Sequence, residues 1–243
     1  MSQLLAVALN GRSLAEHPAI PRTPNELVRA AQACAEAGAE LIHFHAYDES
    51  GEETLAAGPC ASALLALRAA CPGLPMSLTT SAAIEPDPER RFALISTWTE
   101  LPDLVTANQG EFGIVDLCRH LIQRGVGIEA GLLRLDDAHA FAASGIGASC
   151  DRVLVEPLDA DPSDAVAHAA AMEAVLADAD IELEQVHHGD GIASWAVCRR
   201  AIGLGHGIRT GLEDTTVLPD GQPARDNPDL VRVAAQMLAT HGR

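Results

Sequence analysis

Aromatic residues are scarce in this chain, 3% of 243 residues against 48% hydrophobic, so its core has to be assembled mostly from Ala, Leu, Val and Ile. Also missing is any apolar run near the ~20 residues that a bilayer span needs. The N-terminus, MSQLLAVALNGRS, has neither the basic start nor the long apolar core of a secretory signal. The expectation is a soluble, cytoplasmic protein. Basic residues are few, 16 against 34 acidic, for a formal net charge of −18. Such a surface repels phosphates and argues against DNA or RNA as a partner. An anionic small molecule stays compatible with it, because one arginine inside a pocket outweighs a distant, salt-screened surface. The six cysteines, Cys34, Cys60, Cys71, Cys118, Cys150 and Cys198, form no CxxC pair. That speaks against a zinc ribbon or a disulfide framework and for reduced, packing thiols. Internal repeats beyond a βα unit, low-complexity segments and linkers are absent as well.

What is present is an alternation of short apolar runs with longer amphipathic ones. Strands are predicted at 4–9, 40–45, 76–80, 104–108, 127–132, 152–157, 183–188 and 207–212. Helical patterns include 23–39, where Thr23, Pro24 and Glu26 have the spacing of a capping box, then 162–179, 193–205 and 228–242. Eight strand-then-helix units predict a (β/α)8 TIM barrel occupying residues 1–243 as a single domain. A doubly wound open sheet is the competing architecture. Against it stand the lack of GxGxxG after the first strand and the recurrence of polar residues at strand carboxyl ends. Asn10, His43, His45, Thr79, Thr80, Asn108, Glu129, Glu156, His187, His188, Glu213 and Asp214 all fall there, and in a barrel those ends meet at one mouth.

The run ELIHFHAYD (40–48) carries the sharpest signal. Residues i and i+2 of a strand share a face, so His43 and His45 present two imidazoles side by side. A single strand histidine is ordinarily a packed core residue; two at this spacing near a barrel mouth point to a metal. A site of two histidines and one carboxylate suits zinc, and Glu213, just after the eighth strand, is the candidate third ligand, although a carboxylate there also suits a helix N-terminus. Arg209 precedes Glu213 by four residues and has the same parity. With Asp214 it forms either a structural ion pair or an anion-binding group beside a general base. Thr79, Thr80 and Asn108 are weaker candidates for holding substrate; Glu111 and Glu129 are candidate acid or base groups. Only one of His187 and His188 faces inward, and spacing does not say which. Trp195 reads as packing.

These residues lie in blocks that resemble the β-keto acid cleavage enzymes. The blocks are HPAIPRTPNEL (17–27), AEAGAELIHFHAYD (35–48), LPDLVTAN (101–108) and GIRTGLEDT (207–215), in order over nearly the whole chain. The resemblance implies an oligomeric TIM barrel holding one divalent metal, usually zinc, on His43, His45 and Glu213. It implies acyl exchange between a β-keto acid and acetyl-CoA as co-substrate, by retro-Claisen-type cleavage, giving acetoacetate and a new acyl-CoA. Asp214 would then be the base, Arg209 its partner, and Thr79 part of the substrate carboxylate site. Departures from the family pattern fall at Arg12 and Ser13, at Tyr47 where arginine is common, at Ser81 and at Glu111; Arg12 is the candidate replacement for the missing positive charge. Two other readings fit the same residues: a zinc-dependent hydrolase or aldolase working without CoA, and a non-catalytic metal-binding barrel.

Overall fold

The computed structural model describes residues 3–11 and 17–241. Its strands are β1 (Leu5–Ala8), β2 (Leu41–Phe44), β3 (Met76–Thr79), β4 (Leu104–Asn108), β5 (Gly127–Leu132), β6 (Arg152–Val155), β7 (Glu184–His187) and β8 (Gly207–Thr210). They pair in parallel in sequence order, and β8 closes on β1. Between and after them run helices α1 (Pro24–Ala37), α2 (Ala57–Ala70), α3 (Pro88–Ser96), α4 (Ile114–Gln123), α5 (Leu135–Ser144), α6 (Pro162–Asp178), α7 (Ser194–Leu204) and α8 (Asn227–His241). This is the (β/α)8 barrel that the alternation predicts. Six of the strands are shorter than the apolar runs that signal them, while β4 and β5 match theirs. Leu4 and Leu9, which flank β1, each still make one ladder bond, Ile208 N–H to Leu4 O at 2.9 Å and Leu9 N–H to His43 O at 3.0 Å.

Strand register sorts the side chains. Ala8 pairs with His43, His43 with Ser77, Thr79 with Thr106, Thr106 with Glu129, Glu129 with Arg152, and Ala6 with Arg209. Paired residues share a face, so these line the lumen. The alternate residues, such as Val7, Ile42, Phe44, Leu78, Val105, Ile128, Val153 and Ile208, belong to the main core cluster together with the buried faces of the helices. Burial of that apolar layer, at roughly 25 cal/mol per Å2, is the main driving force for the barrel. The lumen is mixed instead. A small apolar plug of Ala6, Leu41 and Leu104 lies below hydroxyls, imidazoles, carboxylates and guanidinium groups.

Local signals place the helices. Thr23 accepts from Glu26 N–H at 3.3 Å while the Glu26 carboxylate accepts from Thr23 N–H at 2.9 Å, completing the box expected from the sequence. Asp87 and Asp161 cap α3 and α6 by accepting from two backbone N–H groups each, without the reciprocal box. Trp195 is buried in α7 and donates from Nε1 to Val217 O at 2.8 Å, the packing role expected of it. All six cysteines are free and buried. Among the described residues no helix is long and apolar enough to cross a membrane.

Candidate metal centre and active site

At the carboxyl ends of β2 and β8 the structure brings together the residues that the strand parities single out. His43 Nε2 and His45 Nε2 stand 3.6 and 3.5 Å from Glu213 Oε2, and that oxygen has no hydrogen-bond partner. Two ligands ~2.1 Å from a tetrahedral ion sit about 3.4 Å apart, so the spacing fits donors converging on a shared cation better than donors bonded to each other. The rings are edge to face, 5.3 Å between centroids and 81° between planes. His43, His45 and Glu213 therefore form a group able to hold a divalent metal ion.

Neighbours aim these donors. His43 Nδ1 lies 3.3 Å from Ser77 Oγ and 3.2 Å from Thr106 Oγ1; both hydroxyls donate to Glu129 Oε2 below. His45 Nδ1 faces Glu53 Oε2 at 3.3 Å, and Asn10 Oδ1 accepts from His45 N–H at 2.7 Å. With one ring nitrogen turned to these partners, each imidazole keeps Nε2 toward Glu213. Gly11 allows the carboxylate to sit there: its φ is +137°, and a Cβ would come within 2.6 Å of Glu213 Oε2.

Beside the metal group lies a charged cluster. Arg209 donates from Nε and Nη2 to Asp214 at 3.2 and 2.6 Å, and from Nη2 to Glu213 Oε1 at 3.3 Å. That leaves Oε2 of Glu213 for the imidazoles. His188 spans Asp214 Oδ1 at 3.4 Å and Glu156 Oε2 at 3.3 Å. Burial alone would raise Asp214, but Arg209 and then His188 hold its carboxyl below the usual range. Burial raises Glu156, with His188 and Arg209 opposing. His43 is pushed well below the ordinary imidazole value by burial and the nearby Arg209. His45 is lifted to about 9 because Glu213 and Glu53 outweigh its burial.

The sequence profile of the beta-keto acid cleavage enzyme family matches residues 3–189 and 128–243, two overlapping stretches that span the chain. The chain belongs to this family. It is 25% identical over 258 residues to the 3-keto-5-aminohexanoate cleavage enzyme of Acetoanaerobium sticklandii, covering 94% of this chain and 88% of that one. A second relative of the same description, from Fusobacterium nucleatum subsp. nucleatum, is 25% identical over 249 residues with the same coverage. Among solved structures, ObcA in ternary complex with a C4-CoA adduct and oxalate superposes with a TM-score of 0.74 at 16% identity, over 93% of this chain and 65% of ObcA. ObcA without ligand gives 0.71 at 17% identity, over 93% and 63%. The chain thus spans just under two thirds of the ObcA length, and at that identity the likeness shows the fold alone.

The other residues singled out in this beta-keto acid cleavage enzyme sequence fall in several places. Thr79 is on the inward face of β3, where its Oγ1 accepts from Ser81 N–H at 3.2 Å. Thr80 has the opposite parity and donates to Thr106 O at 2.7 Å, so its hydroxyl is taken up by backbone. Asn108 Nδ2 donates to Glu111 Oε1 at 3.1 Å. Glu111 also accepts from Ala82 N–H at 2.9 Å and pairs with the buried Arg91 at 2.7 Å, a brace between the loops after β3 and β4. Burial raises the Glu111 carboxyl, with Ala82 and Arg91 opposing. Arg12 and Ser13 lie outside the described residues. Of the two adjacent histidines, His188 faces Asp214 and His187 faces Glu173 on the helix side.

Sequence reasoning missed Glu53, Ser77, Thr106 and Gly11. Ser77 and Thr106 were findable, as hydroxyl residues with the lumen parity on β3 and β4. Glu53 was not, since it stands in the turn after β2, where strand alternation no longer applies.

Proposed function

We propose that this chain is a zinc-dependent β-keto acid cleavage enzyme that exchanges acyl groups between a β-keto acid and acetyl-CoA, yielding acetoacetate and a new acyl-CoA. The observation that carries the proposal is the meeting of His43 Nε2, His45 Nε2 and the unpartnered Glu213 Oε2 next to the Arg209–Asp214 pair. The family match supports the substrate class. The sequence contains no lysine, so an aldolase working through a Schiff base has no amine to form it.

Asp214, kept ionised by Arg209, is the base that takes the C2 proton of the β-keto acid. A carboxylate held low is a weak base, so the proton has to be acidified by the substrate's own carbonyl. A divalent ion on His43, His45 and Glu213 would supply Lewis-acid polarisation of that carbonyl. The C2 carbanion adds to the acetyl-CoA carbonyl, and CoA leaves as thiolate. The thiolate then adds to the original keto carbon; the C2–C3 bond breaks, and its electron pair stays on C2 of acetoacetate. Asp214 returns the proton there, so atoms and charge balance over the cycle. His188 and Glu156 keep Asp214 oriented. Thr79, Asn108 and Arg12 are proposed on the substrate side, with Glu111 bracing Asn108 instead of exchanging protons; Thr80, its hydroxyl bonded to Thr106 O, is left to hold the β3–β4 backbone.

The reading is tested by the zinc content of the purified protein beside His43→Ala, His45→Ala and Glu213→Ala. Loss of the catalytic ion, together with loss of β-keto acid turnover, is expected in all three. Full turnover in any of them overturns it.

A further inference from the structure

Across the sheet from the mouth lies a second cluster built on the same plan. Glu173 of α6, His187 at the end of β7 and His206 in the turn before β8 each offer one ligand atom to a common point. His187 Nε2 stands 3.4 Å and His206 Nε2 3.3 Å from Glu173 Oε1, close to the 3.6 and 3.5 Å of the first group. There, Arg209 binds Glu213 Oε1 and leaves Oε2 to two imidazoles. Here, Arg200 binds Glu173 Oε2 and leaves Oε1 to two imidazoles without a hydrogen-bond partner. An imidazole N–H bonded to a carboxylate would point along the N···O line. Neither imidazole makes such a bond to Glu173 Oε1, which stays open to a cation.

We propose that Glu173, His187 and His206 form a second, structural site for a borderline divalent ion such as zinc, separate from the catalytic centre. His187 is fully buried, with its Nδ1 unpartnered; its Nε2 lies 3.0 Å from Gln185 Oε1, an N–H bond that a bound ion would replace, and burial favours the neutral ring that ligation needs. Burial works against an ionised Glu173, and Arg200, bonded to its Oε2, favours it. Gln185 Oε1, released from its bond to His187 Nε2, would be the oxygen donor at hand to complete four-coordination. The His187 and His206 rings lie nearly parallel, 4.9 Å apart with 7° between planes. A shared ion would need the His206 ring, whose side chain is 27% exposed, to rotate out of this stack. An ion there ties α6 to the ends of β7 and β8 and stabilises the folded state by mass action. Adjacent His187 and His188 would thus serve opposite faces of one strand, one the structural ion and the other the catalytic cluster.

The test is zinc stoichiometry by plasma mass spectrometry after reconstitution and desalting, on wild type, His206→Ala, Glu213→Gln and the double variant. About two ions per chain are expected in wild type, about one in each single variant and none in the double. His206→Ala should keep its turnover, which also reports that it folds. As a second measurement, Glu213→Gln loaded with cobalt should show the visible absorption of a four-coordinate site, absent from the double variant. Equal metal content in His206→Ala and wild type overturns the proposal. A single wild-type ion, lost in His206→Ala and kept in Glu213→Gln, would sustain this site and remove the catalytic-centre reading instead.

Discussion

Glu53 Oε2 lies 3.3 Å from His45 Nδ1, and its Oε1 accepts from Tyr47 O–H at 3.2 Å. A turn residue thereby connects His45, a proposed metal ligand, to Tyr47. A carboxylate behind a ligating imidazole fixes ring orientation and raises ligand basicity. Glu53→Ala should weaken zinc binding by about 10–100-fold, with the far-ultraviolet dichroism unchanged. Competitive titration against a chromophoric chelator reads the affinity, and an unaltered affinity removes Glu53 from this role.

Gly11 is required by space and by backbone. A Cβ there meets Glu213 Oε2 at 2.6 Å, and the φ of +137° is one that side-chain-bearing residues rarely adopt. Gly11→Ala should displace the carboxylate and lower zinc affinity while the remaining barrel core, which the residue does not enter, stays folded. Equal affinity in the same chelator titration would show that Glu213 has room to move.

Asp214→Asn should separate metal binding from chemistry. Asp214 makes its closest contacts with Arg209 and His188, and the proposed ligands are other residues. Zinc content is expected to stay at the wild-type level while kcat falls by about 10²–10⁴-fold. Undiminished turnover would take the base role from Asp214.

The barrel was legible because its lumen and its helix-facing layer differ in chemistry. Polar residues at strand ends, read with a period of two, put His43, His45 and Arg209 on one face, and β8 runs on directly into Glu213 and Asp214. Strand ends were less legible: pairing stops where the chain leaves the ladder, and the apolar pattern runs past that point. The choice between His187 and His188 needed the register of β6 against β7, where Val155 pairs with His187. The Glu173 cluster was invisible because its members come from a helix, a strand and a turn, with no shared periodicity.

Glu111 illustrates a residue whose chemistry the sequence suggested and whose contacts point elsewhere. It is tied to Arg91, which is 1% exposed. Breaking a buried pair strands the remaining charge at a cost of about 3–5 kcal/mol, lowered here because Glu111 itself keeps some solvent. Glu111→Ala should therefore lower the urea midpoint and leave zinc content intact. A variant as stable as wild type but inactive would return Glu111 to the chemistry.

The proposed acyl exchange between acetyl-CoA and a β-keto acid at a metal centre has a test that needs no knowledge of the natural side chain. Acetoacetate is itself a β-keto acid, and a methyl group fits wherever a larger acyl group does. Zinc-loaded protein incubated with unlabelled acetoacetate and carbon-13-labelled acetyl-CoA should transfer label into acetoacetate, as read by nuclear magnetic resonance. The transfer should stop on chelation, return with zinc and be absent from His45→Ala. Acetoacetate that stays unlabelled in the presence of zinc-loaded wild type would contradict the account.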